Sequence, residues 1–255
     1  MNRTNDPVRN HPRRSRRETL GLLGVSAALL GAAALTRPAF AADDEVLTEA
    51  LVLRDPEIPA AGNVDGDITI VEWFDYNCKT ELSRDQIRML ADECASAGIE
   101  FMASVFDVPR IQWLEDVGMK RYKIASRSIF ENDLIDAVAA TGKPMIVSLG
   151  KWVRPGFPDI QAKGGVHYLY CIAKYPPSLN EVHLGKADFN LYAGFSDHTI
   201  GTAAPLAAMA RGARIIEKHF TLDKNMFGPD HSGSATPAEL TQMCAFRDQV
   251  GQILA

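Results

Sequence analysis

Two histidines, His198 in SDHT and His219 in EKHFT, stand 21 residues apart, each just past an apolar run. Neutral imidazoles suit zinc, manganese, iron or cobalt, and two protein ligands leave positions for substrate oxygens and water. Ser104, Lys123, Ser126, Ser148 and Ser196 lie at comparable places after other apolar runs. Clustered hydroxyls with one lysine suit a phosphate, the lysine acting as a point charge and the hydroxyls as donors. The segment GPDHSGS, with Asp230, follows close behind. A single histidine at a strand end is more often structural. Two at consecutive strand ends beside a phosphate-like cluster point to a shared site.

Such a site needs elements that bring distant residues to one end of a sheet. Apolar strand-like runs recur from near Ile99, Arg121, Pro144, Val166, Leu191 and Arg214, at spacings of 22, 23, 22, 25 and 23 residues. That interval fits one strand plus one helix. NDLIDAVAATG and TAAPLAAMARG read as helices closed by Gly, and Ser83 with Gln86 forms a capping box ahead of the stripe Ile87, Leu90, Ala91, Cys94 and Ala97. KWVRPGFPDIQAKG, after PMIVSLG, is short for a crossover helix. Near-continuous apolar strands alternating with helices predict an α/β fold with a parallel sheet. With no Gly-rich dinucleotide turn, a partial TIM (β/α) barrel of six to seven strands is expected, Ile68–Phe74 supplying the seventh. Barrel chemistry sits at the C-terminal strand ends, where the residues above fall.

Composition narrows the partners. The 255 residues carry a net charge of −5, but residues 1–41 hold seven Arg against Asp6 and Glu18. The remaining body is therefore acidic, which argues against a nucleic-acid partner. Cysteines 78, 94, 171 and 244 include no C-x-x-C pair and form neither a zinc site nor a disulfide framework. Arg13, Arg14, Arg16 and Arg17 precede the run Leu20–Leu35 and the small-residue site Ala39-Phe40-Ala41. This reads as a signal peptide over residues 1–41, with SRRETL resembling a twin-arginine export signal. A run of that length, broken by Gly and Ser, is weak for a membrane span, so none is expected after cleavage.

KIAS (Lys123–Ser126), TGKPMIVSLG (Thr141–Gly150), GFSDHTIG (Gly194–Gly201), IIEKHFTLDKNMFGPDHSGS (Ile215–Ser234) and the closing TPAEL resemble the N-acetylneuraminate (sialic acid) synthase family. The likeness runs from about residue 81 to about 252, within a barrel domain over 79–255. It implies condensation of phosphoenolpyruvate with an N-acylated sugar of the N-acetylmannosamine type. The products would be a nine-carbon 2-keto acid and phosphate. His198 and His219 match the family's metal ligands, which usually hold manganese or magnesium. Lys123, Ser126, Ser148 and Ser196 match positions that hold phosphoenolpyruvate. Ser104 stands where the family often has Thr, and Asp230 matches a sugar-hydroxyl contact. A homodimer is the oligomer to expect. Departures from the family pattern are Ser128, where an acidic residue is common, and Ala173 in CIAKYP, where Asn or Ser is common. The family's first two strands, with an acidic acid/base residue and a second phosphate-binding lysine, have no counterpart in sequence, so no acid/base residue is assigned. The family's usual antifreeze-like domain does not follow Ala255.

Residues 42–78 carry a second resemblance. RDPEIPAAGNVDGDITIVEWFDYNC is similar to the start of a periplasmic thioredoxin-fold disulfide oxidoreductase, in which a nucleophilic Cys caps a helix. Here Lys79, Thr80 and Glu81 replace the segment that would hold the resolving thiol. The chain thus reads as a junction between two families. Two alternatives to the synthase follow: a metal- or phosphosugar-binding remnant without turnover, and an exported thiol protein acting through Cys78. The signal implies a periplasmic product, whereas phosphoenolpyruvate places the family's reaction in the cytoplasm.

Overall fold

The computed structural model describes residues 82–254, apart from 227 and 229. The expected signal segment, the stretch resembling a thioredoxin-fold start with Cys78, and the run 68–74 lie outside the described residues. Helix α1 (Arg84–Ser96) starts where the capping box predicts. The Gln86 amide donates to Ser83 Oγ at 3.2 Å, and the Ser83 amide donates to Gln86 Oε1 at 2.8 Å. These bonds satisfy two amides that a helix start would otherwise leave unpaired. Ile87 and Cys94 face inward from this helix. Helix α2 (Val108–Asp116) is capped by Asp107, whose carboxylate accepts from the Arg110 amide at 3.0 Å.

Five strands follow: β1 (Tyr122–Ile124), β2 (Met145–Ser148), β3 (Val166–Cys171), β4 (Gly194–Asp197) and β5 (Ile215–Lys218). They form one sheet in sequential order, all pairs parallel. Helix α3 (Asn132–Ala140) joins β1 to β2, a short α4 (Leu179–Val182) lies between β3 and β4, and α5 (Ala203–Ala210) joins β4 to β5. Helix α6 (Pro237–Leu254) closes the described chain. Sequential parallel order with helical crossovers is a partial (β/α) barrel.

Side chains alternate across the sheet, as strand geometry requires. On the outer face Tyr122, Ile124, Met145 and Val147 pack with Ile111, Leu114, Leu134 and Val138 of α2 and α3. Further along, Phe195 packs with Ala204 and Ala208 of α5. On the inner face Ile146, Leu169 and Ile215 join Met102 and Ala193 in a smaller apolar layer. Gly194 sits where this layer is tightest, since a Cβ there would lie 1.9 Å from the Ile215 carbonyl oxygen. Above the layer the inner face turns polar.

Two expected boundaries differ. The run from Ile99 gives one isolated parallel bridge, Ser104 to Lys123, and no described strand. Its two bonds, Val105 amide to Lys123 carbonyl and Lys123 amide to Ala103 carbonyl, are long at 3.3 and 3.4 Å. The run from Leu191 becomes a strand only at Gly194. Upstream, Asp188 gathers the amides of Leu191 and Tyr192 on its carbonyl and that of Asn190 on its carboxylate, which makes a turn and leaves Leu191 exposed. Between β2 and β3 there is no helix, as the short segment predicts. That loop covers the sheet with aromatic rings: Phe157 stacks on Tyr168 at 4.8 Å and meets Tyr192 edge-on at 5.1 Å.

Candidate active site

The polar end of the inner face is built from strand register. Ser196 of β4 lies beside Cys171 of β3 and Glu217 of β5. Alternation then places Ser196 and His198 on one face of their segment, and Glu217 and His219 on the same face of the next. Lys123 Nζ sits 2.9 Å from Glu217 Oε1, and both side chains are buried, 2% and 6% exposed. Ser148 Oγ donates to the other oxygen of Glu217 at 3.1 Å. A buried carboxylate needs such partners to stay charged. The ammonium of Lys123 is therefore paired with a buried carboxylate.

Beside that group, Ser126 Oγ accepts from the Gly150 amide at 3.0 Å and lies 3.5 Å from Cys171 Sγ. Ser126 opens a 3₁₀ turn, Ser126–Ser128, directly after β1. Gly150 has no room for a side chain: a Cβ would stand 2.8 Å from Cys171 Sγ and 3.0 Å from the Ala173 methyl. Burial pushes the Cys171 thiol up from its ordinary value, so it stays protonated. Its sulfur reaches to 4.0 Å from His198 Nδ1.

His198 Nδ1 also lies 3.3 Å from the carbonyl oxygen of Ile172. With Nδ1–H donating there, Nε2 keeps its lone pair for a ligand, the usual arrangement of a metal-binding histidine. The His198 and His219 rings sit edge to face with centroids 5.2 Å apart. Burial, reinforced by the neighbouring His219, holds His198 down to about 3. Burial also lowers His219, against the opposing pull of Asp230 and Glu217. Both imidazoles are thus neutral at neutral pH, as metal ligation requires. Asp230 Oδ2 is 3.9 Å from His219 Nδ1. Tyr175, Pro176 and Gly233 complete the cleft, with the Tyr175 ring 4.1 Å from that of His198.

All eight residues predicted from sequence lie at this end of the sheet, Ser104 through its bridge to Lys123. Among the described residues no three His, Cys, Asp or Glu side chains gather as a metal cluster. A metal held here would have only the two histidines as protein ligands, a set compatible with a divalent ion that keeps water or substrate oxygens in its other positions. Sequence reasoning misses Glu217, although its place two residues before His219 puts it on the same face by alternation alone. It also misses Cys171, because no second cysteine accompanies it. Ser128, at the common acidic position, is fully buried, and its Oγ has no hydrogen-bond partner among the described residues.

The chain is 33% identical over 210 residues to N,N'-diacetyllegionaminic acid synthase of Campylobacter jejuni, covering 77% of this chain and 60% of that protein. It is 31% identical over 180 residues to human N-acetylneuraminate-9-phosphate synthase, covering 64% of this chain and 48% of the relative. Among solved structures, the N-acetylneuraminic acid synthetase of Leptospira borgpetersenii, crystallised with citrate, superposes with a TM-score of 0.63 at 30% identity. That likeness covers 69% of this chain and 65% of the other. The chain spans 50 to 60% of the length of three relatives it matches. The NeuB family matches residues 62–255, which takes in the run 68–74 as well as the described sheet. Over that span the chain belongs to the NeuB family.

Proposed function

We propose that the chain condenses phosphoenolpyruvate with an N-acylated sugar of the N-acetylmannosamine type, giving a 2-keto acid and free phosphate. One observation carries this reading: two neutral, partly buried histidines adjoin a lysine–hydroxyl cluster at the same strand ends, in a NeuB family chain. The names of the relatives, synthases of legionaminic and neuraminic acids, agree with it.

Lys123 and the hydroxyls of Ser126, Ser148 and Ser196 hold the phosphate and carboxylate of phosphoenolpyruvate, with Ser104 at the edge. Fixing both groups aims the enol carbon at the sugar aldehyde, which is the entropic part of the catalysis. His198 and His219 hold a divalent metal, manganese or magnesium. When bound, that ion supplies a Lewis acid that polarises the aldehyde oxygen and offsets its developing negative charge. Asp230, beside His219, accepts from a sugar hydroxyl and orients the acceptor. Glu217 holds Lys123 in place through their ion pair and receives Ser148. A carbon–carbon bond forms between the enol carbon and the aldehyde carbon. The aldehyde oxygen takes up a proton as this bond forms. Water adds at the phosphate-bearing carbon with loss of a proton. The bond from that carbon to the bridging oxygen breaks, phosphate leaving with that oxygen and the bond's electron pair as the new hydroxyl loses its proton to give the ketone.

Mass spectrometry of a reaction holding the full chain, phosphoenolpyruvate, N-acetylmannosamine and Mn²⁺ tests the proposal. A nine-carbon 2-keto acid is expected. Unconsumed sugar and no new keto acid, with the protein folded, would overturn it.

A further inference from the structure

Directly behind the histidine pair, on the outer face, lies an ion pair that the proposed chemistry does not use. Lys218 Nζ stands 2.6 Å from Asp197 Oδ2, with side chains 3% and 0% exposed. The same ammonium donates to the Thr199 carbonyl oxygen at 2.8 Å. Asp197 in turn accepts from the Thr199 amide at 3.0 Å and from the Thr199 hydroxyl at 3.2 Å. These four contacts enclose His198: its two neighbours in sequence are tied to each other and to one ammonium. That ammonium belongs to the residue preceding His219. Asp197 and Lys218 are also register partners in the β4–β5 ladder.

Burying two charges is costly in itself, and such pairs are weak evidence for stability. The pair must then be judged by what it fixes. Its contacts all fall on the backbone or side chains of residues 197, 199 and 218, and none reaches the inner face. We infer that Lys218 and Asp197 are positioning residues, a clamp that sets the separation and orientation of the His198 and His219 rings. The inference rests on the reading of these two histidines as metal ligands. Partners hydrogen-bonded directly to a ligand ring change metal affinity about 10- to 100-fold when lost, which sets the scale for a clamp acting through the adjoining backbone.

The test uses the full chain and the double variant K218M/D197N. The variant removes both charges, keeps the volumes, and leaves a side-chain carbonyl oxygen at position 197 for the Thr199 amide. Mn²⁺ affinity is measured by calorimetry, folding by thermal melting, and ring geometry from imidazole resonances of isotope-labelled histidine in metal-free protein. The clamp predicts a melting temperature close to the parent's, Mn²⁺ binding weakened about 10- to 100-fold, and altered His198 and His219 resonances. A folded variant with parental affinity and parental resonances would overturn it. If the parent itself binds no Mn²⁺, the metal reading fails, and the metal-free resonances still decide the clamp: altered supports it, unchanged rejects it. Should the double variant not fold, D197N alone, which keeps the shape of the side chain, is read by the same resonances with the same two outcomes.

Discussion

His198 is partly buried, and unfolding returns its ring to water. As pH falls below about 6.5, the unfolded imidazole gains a proton, whereas the folded one resists until about 3. The unfolded state therefore binds more protons in that window, and stability falls as pH falls through it. The slope contributed is up to about 1.4 kcal/mol per pH unit. Thermal melts of metal-free protein between those limits should show H198Q losing less stability than the parent. Equal slopes would contradict the burial of this ring. The Lys123–Glu217 pair makes a second prediction. Removing one partner of a buried pair typically costs about 3–5 kcal/mol, so E217Q should melt well below the parent. An anion that takes over the charge of Lys123 should recover part of that loss. Phosphoenolpyruvate is then expected to raise the melting temperature of E217Q more than that of the parent. An equal or smaller rise would place the phosphate away from Lys123.

The elements that carry these residues differ in how they are held. Between β2 and β3 the sheet is covered by ring packing and not by a helix. Tyr168 donates its hydroxyl to the Pro158 carbonyl at 2.6 Å, and Trp152 Nε1 donates to the Gly156 carbonyl at 2.8 Å. Replacing Phe157 with Ala should cost roughly 2 kcal/mol, since its ring is half-buried and meets two aromatic partners. Urea unfolding would show it. Gly150→Ala inserts a methyl against Cys171 and should cost about 1–3 kcal/mol by overpacking. Local signals made α1, α3 and α5 legible in the sequence, because a capping box and closing glycines act within a few residues. The histidine pair was legible because both segments follow apolar strands. Glu217 was not, since its importance comes from Lys123, a residue far away in sequence that only the sheet brings near. The start of β4 was hidden because Leu191 is apolar yet exposed, and a turn built by Asp188 outweighs its strand preference.

At the scale of the whole molecule, five parallel strands present one polar end. The NeuB match begins at residue 62, ahead of the described sheet. Among the described residues no helix is long and apolar enough to cross a membrane. The arginine-rich start and the Ala39-Phe40-Ala41 site carry a proposal of export. Fractionation of a tagged full chain should then recover a product beginning at Ala42 outside the cytoplasm, and an uncleaved cytoplasmic product would contradict it. We propose that the histidine pair and the lysine–hydroxyl cluster act as one site. Phosphate release from phosphoenolpyruvate tests it most directly, measured with and without Mn²⁺ and N-acetylmannosamine in the parent, H198A and H219A. Release is expected in the parent only when metal and sugar are both present, with a loss on the order of 100-fold or more in each variant, as for a missing catalytic group. Release that ignores the metal, or survives both substitutions, would contradict it.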